Sequence, residues 1–372
     1  MKRLAGFFLL PLSLTLSMAE TLPFYIGTYT KGESKGIYRS SINLETGECT
    51  PPVLAVKTEN SSFLAVHPTE KLLYAVNETG KFKRQSSGSV SAFQIKDNGN
   101  LKHLNSQPTQ GAHPCHLAVD ATGKHVVVAN YSGGSVVSIP IERNGKLGKA
   151  NTFVQHQGAS VNRSRQEVPH AHSINLSPQN NQAFVADLGL DKVLVYNFDP
   201  QSGELSDAAM AYGVVDPGSG PRHLASHGAR VYVINEMANT ISVFHHDSDT
   251  GNLSPVQTIS TLPPSYEGRS YTAEIVISAD GRFVYGSNRG HDSIAIFKVT
   301  GTKGQLELLE IEPTQGSSPR NFVIDPTGRF LLAENQNSNA INIFRIDQTT
   351  GELDPTSHVV KVPSPVCVRF LP

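Results

Sequence analysis

A unit of roughly fifty residues recurs along this chain, and a recurrence of that length restricts the fold to stacked or radial repeats. Short runs of Val, Ile, Leu, Tyr and Phe are punctuated by turn residues, with no long helical period between them. One copy runs from Phe63 to Asn77 and then from Ser89 to Phe93. The next runs from His116 to Asn130, then Ser135 to Ile139. Others are Ser173 to Asp187 with Lys192 to Phe198, His223 to Asn235 with Thr240 to Phe244, Glu274 to Asn288 with Ser293 to Phe297, and Asn321 to Asn335 with Ala340 to Phe344. Each reads as strand, tight turn, strand, short loop, strand, and a weaker fourth strand such as Leu101 to Gln107 follows. Four antiparallel strands make one propeller blade.

The two ends supply a seventh copy. The segment Pro365 to Pro372 matches a first strand and then stops. Phe24 to Tyr29 matches a second strand, and Gly36 to Asn43 and Val53 to Thr58 supply the third and fourth. The expected fold is therefore all-β: a seven-bladed β-propeller closed by pairing of the C-terminal strand with N-terminal strands. Closure leaves the ring without an open sheet edge.

Ahead of this domain, Lys2 and Arg3 precede an apolar run from Leu4 to Leu16, and Ser17-Met18-Ala19 places small residues at the positions a signal peptidase reads. The run is short of the roughly twenty apolar residues of a membrane span. Residues 1–19 read as a signal peptide cleaved after Ala19, and residues 20–372 as the propeller. The expected location is exported, periplasmic or secreted, without stable membrane insertion after cleavage. Lys plus Arg is 31 and Asp plus Glu is 32, so charge gives no reason to expect nucleic acid as a partner. Aromatic content is 7% and Trp is absent, which disfavours stacking platforms for bases or polysaccharide. Cys49, Cys115 and Cys367 are odd in number and form no CxxC pair, so they suggest neither a disulfide framework nor a metal knuckle. A monomer or weak oligomer is expected.

In a blade, the start of the first strand and the end of the second lie at one face of the disc. The tight first turn lies at the other. The first face collects His113, Cys115 and His116; His170 and His172; Arg222 and His223; Glu274; and Arg320 with Asn321. Ends of second strands add Glu78, Tyr131, Glu236, Arg289 and Glu334, and the long inserts 157–169 and 261–270 enter there too. Asn or Asp recurs after all six complete second strands, which points to a structural clip at the blade corner. Residues that break the repeat are the better site candidates, because the shared fold does not dictate them. Cys115, His172, Arg222 and Arg320 share one repeat position yet differ, and so do Glu78, Tyr131, Glu236 and Arg289.

Pro114-Cys115-His116, Asn130-Tyr131-Ser132-Gly133-Gly134, Pro169-His170-Ala171-His172, Gly220-Pro221-Arg222-His223, Asn235-Glu236 and Ser287-Asn288-Arg289-Gly290 together resemble the seven-bladed lactonase propeller family. That family includes propeller-type 6-phosphogluconolactonases and a eukaryotic carboxymuconate-lactonising enzyme. The resemblance covers essentially the whole mature chain. It implies a carboxylic ester hydrolase whose partner is a small-molecule sugar lactone, either 6-phosphogluconolactone or gluconolactone, opened to the aldonic acid. The export signal keeps a non-phosphorylated lactone among the expected substrates.

Matching the family's site onto this sequence gives His172, Glu236, Arg222 and Arg289 as catalytic residues. His116, His170, His223, Glu274 and Arg320 are expected to bind substrate. His172 suits a general base, Glu236 an orienting carboxylate, and the two arginines an oxyanion or anionic group. No cofactor is expected. A zinc site at His170 and His172 with His116 and His223 is a rival that lacks a second short ligand pair. The short basic run Lys81, Lys83 and Arg84 reads as a solvated loop, with a phosphate-attracting rim as the sharper alternative. Two other classes stay open: a non-catalytic binding or scaffold propeller of the envelope, and a lactonising lyase or isomerase.

Overall fold

Period-two apolar runs separated by Gly, Pro, Asn and Asp turns satisfy their backbone groups by pairing with sequence neighbours. A computed structural model describes residues 21–206 and 209–371 of the chain. Its described residues form 28 strands in seven four-stranded antiparallel sheets, with a single 3-10 turn over Gln336–Ser338. Six sheets each use four consecutive strands. The seventh joins the chain ends: β28 (Pro365–Phe370) pairs with β1 (Thr21–Thr28), followed by β2 (Gly36–Asn43) and β3 (Val53–Lys57). The closing register runs from Phe24 opposite Phe370 to Gly27 opposite Cys367. The expected seven-bladed ring and its closure are thus the fold of the protein.

Aromatic side chains on the second strand of a blade lock it to the next blade. Tyr25 donates to the Gly99 carbonyl at 2.9 Å, Tyr74 to Gly145 at 3.2 Å, Tyr232 to Gly304 at 3.2 Å and Tyr285 to Gly351 at 2.9 Å. Phe330, fully buried, closes the series on Gly47 of the first blade. Gly47 has φ of +80°, and a Cβ there would sit 2.6 Å from the Phe330 ring, so glycine is required on both counts. Each such aromatic contributes about 1.5–3 kcal/mol through burial. Most exposed large apolar residues fall on fourth strands, among them Val53, Tyr212, Val214 and Val359, while Val161 and Val168 lie in the insert.

The recurring Asn or Asp at the end of the second strand is the expected backbone clip in five of the six complete blades, while Asn235 bonds instead to the Thr240 and Ser242 hydroxyls. Asn77 donates to Glu59 O and Thr58, Asn130 to Thr109 O, Asn288 to Thr261 O and Asn335 to Thr314 O. Asp187 accepts from the backbone of His170, Gly189 and Leu190 and from buried His156 at 2.6 Å. These bonds satisfy buried backbone groups where the fourth strand turns inward to the next blade.

Candidate active site

The site begins with a backbone irregularity that recurs around the ring. In β8 (Pro114–Val119) the ladder pairs Pro114 with Asn130 and then His116 with Ala129, which leaves Cys115 as an extra residue. The same bulge leaves out His172 in β12 (Ala171–Leu176), Arg222 in β16 (Pro221–His227), Arg320 in β24 (Pro319–Ile324) and Val366 in β28. In β20 (Tyr271–Ile277) the irregularity covers Ala273 and Glu274. A bulged residue leaves the ladder and re-aims its side chain. Five of these residues, Cys115, His172, Arg222, Arg320 and Val366, line one central cavity. Tyr29, Ser62, Phe63, Glu78, His223 and Asn321 complete the wall.

A second ring comes from the residue after the corner Asn. Glu236 receives three guanidinium groups: Arg165 Nη2 on Oε1 at 2.6 Å, and Arg222 Nε and Arg289 Nη2 on Oε2 at 3.0 and 2.9 Å. His172 Nε2 lies 3.7 Å from the same Oε2, and its Nδ1 lies 3.7 Å from Cys115 Sγ. Across the cavity, Glu78 accepts from Tyr29 Oη at 2.7 Å and Ser62 Oγ at 2.5 Å, while Arg320 donates to Tyr29 Oη at 3.0 Å. Backbone carbonyls finish the arginine geometry: Arg222 Nη1 donates to Ala273 O at 2.7 Å and Arg289 Nη2 to Thr272 O at 2.8 Å.

Four guanidinium groups therefore face two carboxylates, Glu78 and Glu236, leaving two positive charges in excess at the mouth. Burial alone would raise the Glu236 pKa, but Arg289, His172 and Arg222 outweigh it and hold it well below the usual carboxylate value. Burial, and then the charge of Arg222, push His172 well below the ordinary histidine pKa, so it is neutral at neutral pH. Burial lowers Arg289 to about 9, and it stays charged at neutral pH. The Cys115 thiol is pushed up by burial and by Glu78, and it donates to the His172 carbonyl at 3.2 Å, so it is no thiolate nucleophile.

The structure brings His172, Glu236, Arg222 and Arg289 into one bonded cluster. Arg320 and His223 line the cavity. Glu274 lies under it, bonded to His223 Nδ1 at 2.9 Å and to Asn321 Nδ2. His116 packs below as well, its ring 4.2 Å from Phe63 and 5.3 Å from His223. Burial lowers the pKa of both His116 and His223 well below the ordinary value. His170 stands behind Tyr131, stacked on it at 4.6 Å with Nδ1 3.0 Å from Tyr131 O. Among the described residues, no group of three or more His, Cys, Asp or Glu is arranged to hold a metal ion. Lys81, Lys83 and Arg84 sit in an exposed loop and do not line the cavity.

Tyr29 and Ser62 of the cavity wall, and Arg165 on Glu236, escaped the sequence reading. Tyr29 follows β1 just as Glu78 follows its strand, so its signal was the repeat position, hidden where one blade is split between the chain ends. Ser62 precedes a strand too short to show its bulge. Arg165 belongs to the irregular insert and has no repeat frame that would reveal it.

A ring of seven four-stranded blades with this mouth defines a class, and residues 23–370 match the family model "Lactonase, 7-bladed beta-propeller". The chain belongs to that family and is a carboxylic ester hydrolase. It is 37% identical over 350 residues to the 6-phosphogluconolactonase of Bacillus subtilis, covering 93% of this chain and 97% of that one. It is also 37% identical over 306 residues to the 6-phosphogluconolactonase of Formosa agariphila, covering 80% and 85%. A solved structure, the periplasmic gluconolactonase of Pseudomonas aeruginosa, superposes with a TM-score of 0.87 at 33% identity, covering 95% and 99%.

Proposed function

We propose that the protein opens a sugar lactone to the aldonic acid by metal-free general base catalysis, with 6-phosphogluconolactone as the first substrate and gluconolactone as the second. The excess of two guanidinium charges around a neutral histidine carries this reading. A buried, uncompensated positive mouth stabilises an anionic substrate and, more strongly, the oxyanion that forms from it.

In the proposed reaction, water between His172 and the lactone carbonyl attacks the carbonyl carbon as His172 Nε2 takes its proton. Arg222 and Arg289 stabilise the tetrahedral oxyanion, and Glu236 stabilises the imidazolium. Collapse breaks the bond from the carbonyl carbon to the ring oxygen, and the imidazolium returns the proton to that oxygen as it leaves. Arg320 and His223 contact substrate from the cavity wall. His116 and Glu274 hold His223 from below, and His170 holds Tyr131.

Purified mature protein is expected to accelerate hydrolysis of both lactones above the spontaneous rate, with 6-phosphogluconolactone preferred and chelator without effect. No acceleration of either lactone by folded protein sinks the proposal.

We also propose that residues 1–19, which lie outside the described residues, direct export and are removed. The kinship with a relative named as periplasmic supports this. The described residues contain no helix long and apolar enough to cross a membrane. N-terminal sequencing of protein from the periplasm or medium should begin at Glu20; an intact Met1 in the cytoplasm refutes export.

A further inference from the structure

Arg165 differs from the other guanidinium groups on Glu236 in origin, exposure and bonding. Arg222 and Arg289 rise from blade strands or their ends, and each is fixed by Glu236 and by a backbone carbonyl. Their side chains are 3% and 15% exposed. Arg165 comes from the insert, and its side chain is 32% exposed. Both of its side-chain bonds, to Glu236 Oε1 at 2.6 Å and to Tyr131 Oη at 3.2 Å, use Nη2. Among the described residues, Nε and Nη1 make no hydrogen bond to protein.

The backbone under this head is firmly placed. Gln166 is fully buried; its side chain accepts from Asn162 N at 3.0 Å and donates to Leu188 O at 2.9 Å. Its carbonyl accepts from Ser160 N at 2.9 Å, and Ser160 Oγ donates to Asp191 at 2.5 Å. A fixed pedestal thus carries a long, half-solvated cation with free donors at the rim.

Glu236 is over-supplied with cations and sits 3.7 Å from His172 Nε2, beyond a hydrogen bond. Losing one of three guanidinium partners leaves it still paired. An incoming phosphate or carboxylate offers Arg165 a partner of equal or greater charge, so the exchange replaces one charge-assisted bond with another.

We propose that Arg165 is a specificity-determining residue for anionic lactones. Its guanidinium passes from Glu236 Oε1 to the phosphate or carboxylate of the substrate, while Arg222 and Arg289 stay on Oε2. A neutral lactone supplies no such partner, so Arg165 stays on Glu236. This inference rests on the lactonase reading above and adds a discriminating residue to it.

The experiment is steady-state kinetics of wild type, Arg165→Gln and Arg165→Lys on 6-phosphogluconolactone and glucono-1,5-lactone, with melting temperatures read alongside. In Arg165→Gln, kcat/KM for the phosphorylated lactone is expected to fall about tenfold to a hundredfold, mostly through KM. The ratio of kcat/KM between the two lactones should drop at least about tenfold, and Arg165→Lys should restore part of it because it keeps the charge but not the fork. A merely structural arginine would lower both lactones in proportion and leave the ratio unchanged, which overturns the inference. So does a wild-type enzyme that opens gluconolactone as well as its phosphate. If wild type opens neither lactone, the lactonase reading itself fails, and that outcome is distinct from the first two. Should Arg165→Gln fail to fold, the ratio in Arg165→Lys decides alone, and an unchanged ratio there overturns the proposal.

Discussion

Replacing His172 by alanine is expected to lower kcat/KM for the hydrolysed lactone by about 10² to 10⁴, the usual contribution of a general base. Among the described residues His172 is the one imidazole within 4 Å of the Glu236 carboxylate, and it lines the cavity. It occupies a bulge outside the strand ladder, so its loss leaves every blade hydrogen bond in place. A melting temperature close to wild type would separate lost chemistry from lost fold. The pH profile gives a second reading. Burial, then Arg222, His223 and Arg320, depress the histidine pKa, while Glu236 opposes them. The net shift is downward from the ordinary 6.5. His172 therefore remains an unprotonated base as pH falls through 6.5, and kcat/KM should hold level there and decline only at lower pH. An acid limb centred at or above 6.5, or an alanine variant with full activity, removes His172 from the base role.

The fold was legible because each blade repeats the same sequence of apolar runs and turn residues, and because the missing copy was visibly divided between Pro365 and Tyr29. The membership of the mouth was partly legible for a related reason. A bulged residue does not pair, so the blade puts no constraint on it, and that position diverges among Cys115, His172, Arg222 and Arg320 while the corner Asn does not. Depth was harder to read. In β20 the residue in register with Arg222 is Ala273, and Glu274 corresponds to His223 one layer down, a distinction that depends on counting the bulge correctly. His170 and His172 differ by two positions, yet the bulge between Ala171 and Ser173 sends one behind Tyr131 and the other to the cavity. Arg165 was beyond reach, since an irregular insert offers neither period nor register to locate a side chain. Glu334 shows the opposite error of emphasis: it ends a second strand at this face, but it is fully buried, and burial pushes its pKa well above the usual value.

Glu236→Gln should be the most destabilising single substitution at the mouth. The carboxylate is 8% exposed and is the counter-ion for Arg165, Arg222 and Arg289. Glutamine keeps its shape but removes its charge, so two nearly buried guanidinium groups and one half-exposed one lose their partner. Breaking a buried ion pair on one side costs about 3–5 kcal/mol, and little of this arises at Arg165, where solvent screens the charge. For a chain of this size that corresponds to a fall in Tm of about 4–7 °C at pH 7. The sign of the pH dependence follows from the depressed pKa in the folded state. Such a group stabilises the fold fully above its unfolded value near 4.5, and the stabilisation disappears as pH falls through the lower folded value. The gap in Tm between wild type and Glu236→Gln should therefore be widest at neutral pH and should close on acidification below about 4.5. Added phosphate should narrow the gap at pH 7 as well, because an anion bound among the three arginines stabilises the folded variant by mass action. Equal melting temperatures at pH 7, or a gap that widens in acid, would show that the carboxylate is not the charge that holds this mouth together.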